Sequence, residues 1–166
     1  MDFEQAASYW ETQDAQARQM EPAALKAEME SFIAAHNTCA LATGCGDFIR
    51  CTPIEYHYRN GAFWMFSEGG LKFRALAENR KVCLAIYDAY TGFDHLGGMQ
   101  VSGTAELTEL WSAEYLELLA VKKIPPDSLR RLNRPLHLIK VVPARIDFLS
   151  SAFQQRGFSP RQHIVF

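Results

Sequence analysis

The sequence predicts a mainly β domain with covering helices (α+β), in which short antiparallel strands form a small barrel. Several strand-like runs follow one another closely along the chain. Asn60-Gly61 joins two of them, and this dipeptide is a strong hairpin signal because both positions tolerate positive φ. Helical periodicity is confined to a few segments around the strands. Antiparallel strands at short spacing with a few helices beside them are typical of a small barrel.

Composition restricts the classes of protein to consider. The chain has 166 residues, 17 Lys and Arg against 19 Asp and Glu, a net charge of −2 and 48% hydrophobic residues. A chain of this length can bury an ordinary core without staples, and its balanced charge argues against a general nucleic-acid binder. It contains no apolar run of the ~20 residues that a membrane span needs. Its first residues are acidic and polar, unlike a signal peptide. We therefore expect a cytoplasmic protein with neither nucleic-acid nor membrane partners.

The whole chain, residues 1–166, is predicted to be one domain, since no repeat or low-complexity block divides it. We expect an N-terminal helical region over 1–36, a barrel core over 37–110, and helices with a final strand and tail over 111–166. The first twenty residues carry aromatic anchors and a polar stretch, which favours an exposed helix or arm. Pro22 suits a first helical position, and the apolar spacing that follows predicts an amphipathic helix over 22–36.

Strands dominate the middle of the chain. They are predicted over 38–44, 48–59, 62–68, 81–90 and 99–110, with one short helix over 72–80. Asn79 is a plausible stop for that helix, and 91–98 forms a glycine-bearing loop. Gly103, inside a strand, indicates a bulge or the close approach of backbone or ligand.

The C-terminal third is predicted to be mixed. Ser112 can cap a helix over 112–123, which Pro125-Pro126 then breaks. A turn or short helix follows, and then a β-rich run over 136–151. Pro143 requires an edge position or a bulge in that run, because it lacks an N–H donor. Residues 153–166 are expected to be irregular.

The four cysteines lie far apart, and none forms the C-x-x-C pair of structural zinc sites and redox motifs. Cys39 and Cys51 sit inside apolar strand-like runs, where free cysteine behaves as a small hydrophobe. We expect neither a metal site nor a disulfide.

The segment from Arg50 to Lys72 is the strongest candidate for chemistry. Its first strand places Arg50, Thr52 and Ile54 on one face. Cys51 and Pro53 lie on the other face of the same strand.

The next strand leads into a loop that contains Ser67, Gly69 and Gly70, and a helix begins at Lys72. A hydroxyl, backbone N–H groups and an ammonium together suit a phosphate. The spacing is not that of a P-loop. An ordinary turn followed by a solvated lysine is the alternative interpretation.

The order of these elements resembles the pyridoxamine 5′-phosphate oxidase-like family of FMN-binding split barrels. The match covers about residues 30–110 and most of the predicted strands. It implies an antiparallel split barrel that binds FMN at a homodimer interface, with two sites per dimer. It also implies a flavoprotein oxidoreductase that passes a hydride or electrons to a small-molecule substrate.

The resemblance assigns cofactor contacts by position. Arg50 resembles the strand arginine at the phosphate or pyrimidine end, and residues 51–54 resemble the backbone beside the isoalloxazine. Lys72 resembles the phosphate lysine. The full set is Arg50, Cys51, Thr52, Pro53, Ile54, Phe66, Ser67, Lys72 and Gln100. No side chain is assigned as an acid or base, because the cofactor carries the transfer.

Two departures from the family pattern matter. Leu71 stands where relatives often have an arginine before the phosphate lysine, which removes one charge unless another residue such as Arg74 replaces it. The tail contains only Arg161 and His163 of the R-L-H-x-R-like motif of true pyridoxamine phosphate oxidases. The resemblance therefore does not extend to the vitamin B6 reaction.

Two alternatives remain open at the level of sequence. Some split-barrel relatives handle haem, and His95 or His163 would then be the ligand. A cofactor-free binding or structural dimer is the other, with Leu71 as its best support. Glu55 would repel a bound flavin unless it faces solvent or pairs with an arginine.

Overall fold

The computed structural model describes residues 2–166, which form one antiparallel sheet with helices around it. The helices are α1 (Phe3–Gln16), α2 (Pro22–Ala35), α3 (Lys72–Glu78), α4 (Ala113–Val121), α5 (Pro126–Arg130) and α6 (Ser151–Gln155). The strands are β1 (Thr38–Cys45), β2 (Phe48–Glu55), β3 (His57–Arg59), β4 (Ala62–Ser67), β5 (Lys81–Tyr87), β6 (Gly97–Thr108), β7 (His137–Ser150) and β8 (Arg161–Val165). A 3-10 turn, Phe93–His95, lies in the loop before β6.

The order of the strands shows that the sheet curls into a barrel. The order is β2-β1-β5-β6-β7-β4-β3, with β8 beside β7. Strands β2 and β3 therefore lie at opposite edges of the sheet, although only Tyr56 separates them along the chain. Two edges joined by one residue must approach each other in space. The predicted antiparallel barrel is confirmed.

The prediction of one strand over residues 48–59 is wrong, because β2 and β3 are separate strands. The chain leaves the sheet at Tyr56, whose backbone N–H donates to the Asn37 carbonyl oxygen at 2.8 Å. Its hydroxyl donates to the Ile33 carbonyl oxygen at 2.7 Å. These bonds tie the break to the end of α2. Alternation alone does not reveal the break, because Tyr56 and Tyr58 both pack into the core.

Helix α2 closes the inside of the barrel, as its predicted amphipathic pattern requires. Leu25, Met29 and Ile33 are buried on one face of the helix and join the same core cluster as Leu41 and Phe63. This is the main core of the chain. It combines one helix stripe with the inward-facing residues of the strands.

A second cluster lies on the outside of the barrel, where α4 covers β4 and β7. Trp64, Tyr115 and Leu138 are its centre. The predicted cap is confirmed, because the Ser112 hydroxyl accepts a hydrogen bond from the Tyr115 backbone N–H at 3.3 Å. Helix α1, by contrast, is exposed as expected, with Phe3 at 80% of its full accessibility.

The predicted irregularity at Gly103 and Pro143 is a bulge. Ser102 pairs with Arg145 while Gly103 pairs with Pro143, so β7 has one extra residue there. A Cβ at Gly103 would lie 2.4 Å from the Val142 carbonyl oxygen. Glycine is required at this point because the backbones approach closely.

The tail is not irregular, which corrects the expectation for residues 153–166. Residues 151–155 form α6, and β8 pairs with the second half of β7. Gln162 is buried and donates to the Ser159 carbonyl oxygen at 2.8 Å, while its own oxygen accepts from the Met20 backbone N–H. A strand that buries a glutamine gives a weak hydrophobic pattern.

Within residues 2–166, every helix is too short or too polar to cross a lipid bilayer.

Substituting Gly103 with alanine is expected to lower the free energy of unfolding by about 2–3 kcal/mol, because the new Cβ meets backbone that cannot rotate away. Gly98→Ala is the matched control on the same strand, where the nearest atom to a new Cβ is 3.8 Å away. Its stability should change by less than about 0.5 kcal/mol. Urea denaturation of both variants checks this, and equal stabilities would contradict the close approach.

Candidate functional site

The two faces of β2 point to different environments. Arg50, Thr52 and Ile54 pair with Thr43, Leu41 and Cys39 of β1, which are all buried. Residues directly opposite on paired strands share a face. The first three therefore share one face, as predicted, and the structure shows that it is the inner face of the sheet.

Helix α3 covers this inner face. The Arg74 guanidinium lies 5.5 Å from the centre of the Phe48 ring, which shares the face of Arg50. Leu76 is fully buried in the main core. Arg50 and the start of α3 therefore lie on the same side of the sheet. The Arg74 guanidinium is in contact with the Phe48 ring.

The loop between β4 and α3 is organised around Gly69. The Ser67 hydroxyl lies 3.1 Å from the Gly69 carbonyl oxygen and 3.2 Å from its backbone nitrogen. The Lys72 ammonium donates to the same carbonyl oxygen at 2.6 Å. Gly69 and Gly70 have φ of 127° and 105°, a region that only glycine adopts freely. The loop is thus a built structure that holds a hydroxyl and an ammonium close together.

Lys72 is the unusual charge of this loop. It is only 7% exposed, and burial lowers the pKa of its ammonium group. Among the described residues no carboxylate pairs with it. A buried cation without a counter-ion is costly, and an anionic ligand beside it would offset that cost.

The structure separates Phe66 from its neighbour Ser67. Phe66 meets the Tyr115 ring edge to face, with centroids 5.7 Å apart, so it belongs to the outer cluster under α4. Ser67 faces the other side of β4. The sequence resemblance assigns both to one cofactor, but within this chain they point in opposite directions.

Cys51, Pro53 and Gln100 lie on the outer face of the sheet. Pro53 pairs with Ala40, which pairs with Ala85, and Ala85 pairs with Gln100. With strands about 4.8 Å apart, this row spans roughly 14 Å. Gln100 therefore lies three strands away from β2 and on the face opposite to Arg50.

A cavity of about 350 Å³ lies beside Gln100 on this outer face. Tyr87, Asp147 and Arg161 also line it. The Arg161 guanidinium stacks on Trp10 of α1, 4.1 Å from the ring centre. The sequence analysis gave Trp10 no role at a site, because only the pairing of β8 with β7 brings Arg161 to this face.

His137 is a second residue that the sequence analysis did not place at the site. It pairs directly with Ser67 across β7 and β4. Its ring also contacts Phe73 of α3, with centroids 5.0 Å apart. No local motif signals this position, since the pairing joins residues seventy positions apart in the sequence.

The remaining candidate residues, Glu55, His95 and His163, do not lie together in the structure. Glu55 pairs with Lys122 at the end of α4, rather than with an arginine. His95 is exposed in the loop before β6, and His163 is exposed on β8 opposite Asp147. Among the described residues, no group of three histidine, cysteine or acidic side chains is placed to hold a metal ion.

Comparison with known proteins was made for both sequence and structure. A model of the family described as pyridoxamine 5′-phosphate oxidase matches residues 25–150. No match to a curated protein was found.

Several solved structures share the fold. A FAD-binding protein from Mesorhizobium loti is 16% identical, with a TM-score of 0.60 over 78% of this chain and 93% of that one. HutZ, the haem storage protein from Vibrio cholerae, is 16% identical, with a TM-score of 0.59 over 75% and 90%. A haem binding protein from Mycobacterium smegmatis is 16% identical, with a TM-score of 0.61 over 81% and 55%.

The pKa of Lys72 predicts a pH dependence of folding stability. Because burial lowers this pKa in the folded state below the ordinary value of 10.5, folding is penalised while the ammonium is charged. The stability of the wild type relative to Lys72→Met should therefore rise as the pH increases from the lowered value towards 10.5. Urea denaturation at several pH values measures this difference. Lys26→Met, at an exposed lysine of α2, is the control, and a falling difference would contradict the burial.

Proposed function

Because the chain belongs to the pyridoxamine 5′-phosphate oxidase family, we propose that it is an FMN-binding oxidoreductase that acts as a homodimer on a small-molecule substrate. The observation that carries this proposal is the buried Lys72 ammonium, which lies in the loop built around Gly69 and which no carboxylate of the described residues pairs with. A positive charge alone does not identify which anion binds. The surrounding strand β2 adds the features that favour a flavin nucleotide.

The phosphate of FMN fits the loop between β4 and α3. Lys72 supplies a cation within the loop, and Arg50 lies on the face of β2 that α3 covers. Charge-assisted hydrogen bonds from lysine and arginine to phosphate are strong ones. The residues present therefore suit a dianionic group, although Leu71 leaves one charge fewer than many relatives have.

The polar edge of the flavin ring fits β2. This strand pairs only with β1 in the described sheet, so half of the backbone groups over 51–54 face away from the ladder. Such groups can donate and accept hydrogen bonds in a fixed row. Pro53 is compatible with this edge position, because the missing N–H costs no ladder bond there.

When bound, FMN would supply the hydride or electron transfer. The chain's residues would hold and orient it. Lys72 and Arg50 would bind the phosphate, residues 51–54 would fix the ring edge, and Gln100 would contact the ring from the outer face. The electron donor and the substrate are not assigned by these residues.

The position of Gln100 favours a dimeric site. The loop between β4 and α3, which we call the phosphate loop, lies beside the start of β7, where Ser67 pairs with His137. Gln100 pairs with Asp147, ten residues further along the same strand. Ten strand residues span roughly 33 Å. One flavin therefore cannot meet Lys72 and Gln100 of the same chain, but it can meet them from two chains.

The outer face of the sheet is suited to pack against a second copy. Small side chains occupy much of it, including Ala40, Ala42, Cys83 and Ala85, and they are only half-buried in the single chain. Ile49 and Val142, on the same face, are 79% and 39% exposed. Exposed apolar surface of this kind marks interaction sites. A C2 dimer through this face would place the Gln100 cavity of each chain beside the other chain.

Haem binding is the second candidate. It is favoured by His163, which is exposed on the outer face opposite Asp147 of the 350 Å³ cavity. Haem titration followed by absorbance distinguishes it from flavin binding. Loss of the haem spectrum in His163→Ala but not in His95→Ala would identify the ligand.

We also propose a cytoplasmic location, which the four free cysteines support.

Purified protein is expected to bind FMN and to lose about tenfold to a hundredfold in affinity on Lys72→Ala, since one charge-assisted contact to phosphate is removed. Quenching of flavin fluorescence measures the affinity. Lys26→Ala, which removes an exposed lysine of α2, should leave it unchanged. Absence of FMN binding by the wild type would exclude the proposal and leave haem or a cofactor-free dimer.

Mixing two defective variants tests the dimeric site. Lys72→Ala and Gln100→Ala should each bind FMN weakly as homodimers. After subunit exchange, half of the dimers are mixed, and each mixed dimer has one intact site, so about one quarter of all sites should recover. Fluorescence titration before and after exchange measures this. No recovery, with exchange shown by native mass spectrometry, would place both residues in one chain's site.

A further inference from the structure

We propose that His137 is a second ligand of the phosphate site. It takes the place of the arginine that relatives often have at the position of Leu71. The site then binds its anion more tightly as the pH falls. This inference rests on the proposed phosphate site between β4 and α3. It concerns a residue outside both the sequence motif and the resemblance.

The geometry places His137 at the loop. His137 and Ser67 are a direct cross-strand pair, and the Cβ atoms of such pairs lie about 4.5–5.5 Å apart on the same face. Ser67 in turn contacts Gly69, the residue that the Lys72 ammonium binds. A group held by Lys72 and Ser67 is therefore within reach of an imidazole at position 137.

The Phe73 ring contacts both Lys72 and His137. The Lys72 ammonium lies 5.4 Å from the centre of the Phe73 ring, and the His137 ring lies 5.0 Å from it. One aromatic ring at the start of α3 thus contacts both. The half-buried imidazole is oriented by packing and not by hydrogen bonds of its own.

Among the described residues, the ring nitrogens of His137 have no hydrogen-bond or ion-pair partner. Lys72 faces it from α3, Glu68 follows the end of β4, Glu109 follows the end of β6, and Arg134 precedes β7. None of them forms an ion pair or hydrogen bond with His137 within residues 2–166. Glu68 lines a cavity with Arg134 and Leu136. Among the described residues, no carboxylate pairs with Lys72 or His137 beside this loop.

His137 suits this role better than the alternative replacement, Arg74. The Arg74 guanidinium already stacks on Phe48 beside β2. A protonated imidazole, by contrast, can donate from both nitrogens to phosphate oxygens. Histidine as a residue type changes charge in the physiological pH range, and the pH dependence of anion binding is therefore the property to measure.

The test compares FMN, riboflavin and inorganic phosphate as ligands of the full chain between pH 6 and pH 8. The phosphate of FMN also titrates near pH 6, so each affinity is expressed relative to His137→Gln at the same pH. For FMN this ratio should rise about tenfold between pH 8 and pH 6, the size of one charge-assisted contact. For riboflavin, which lacks the phosphate, it should stay near one.

Two further variants sharpen the result. His137→Lys carries a permanent charge, so it should retain high FMN affinity at pH 8 and lose the pH dependence of the ratio. His57→Gln is the matched control, because His57 pairs with Trp64 on the outer face. It should behave as the wild type does. Unchanged riboflavin affinity shows that each variant is folded.

The outcomes separate this inference from the proposed function. If the wild type binds FMN and the ratio for His137→Gln is flat with pH, the inference is overturned and the flavin function stands. If FMN does not bind, but inorganic phosphate shifts the His137 imidazole resonance in NMR, the anion site stands without the flavin. If FMN does not bind and phosphate leaves that resonance unmoved, both proposals fail.

Discussion

The fold depends on one residue that leaves the sheet. Tyr56 separates β2 from β3, and its two hydrogen bonds attach the break to the end of α2. Because β2 and β3 lie at opposite edges, this attachment obliges the sheet to curl around the helix. The inner face of β2 is thereby turned towards α3. The position of the loop between β4 and α3, the exposed outer face and the free edge of β2 all follow from that closure.

Much of the local structure could be predicted from the sequence. The hairpin at Asn60-Gly61 has φ of 51° and 74°, and Asn79 ends α3. Such features depend on neighbours in the chain, so their residues carry the signal. The break at Tyr56 and the strand β8 were missed because both depend on partners far away. Tyr56 bonds the end of α2, and β8 exists by pairing with β7.

The candidate site shows the same division. Lys72, Ser67 and the glycines form a contiguous segment, so that the sequence alone shows a combination that suits a phosphate. The faces of the strands could be deduced from alternation, which puts Arg50 and Gln100 on different sides only once the register is known. His137 and Trp10 could not be found, because each meets the site through a strand pairing. The lowered pKa of Lys72 could not be predicted either, because it results from burial of the side chain in the folded protein.

Strand β7 has two neighbours on one edge, β4 along its first half and β8 along its second. The bulge at Pro143 lies between these halves, where the chain has no N–H to donate. The two halves are therefore independent in their pairing, and a change in the tail need not alter the register of β4. The fold is modular at this point. The half beside β4 can keep the loop before α3 in place while the half beside β8 diverges, so that the tail can change the cavity lined by Arg161 without moving that loop.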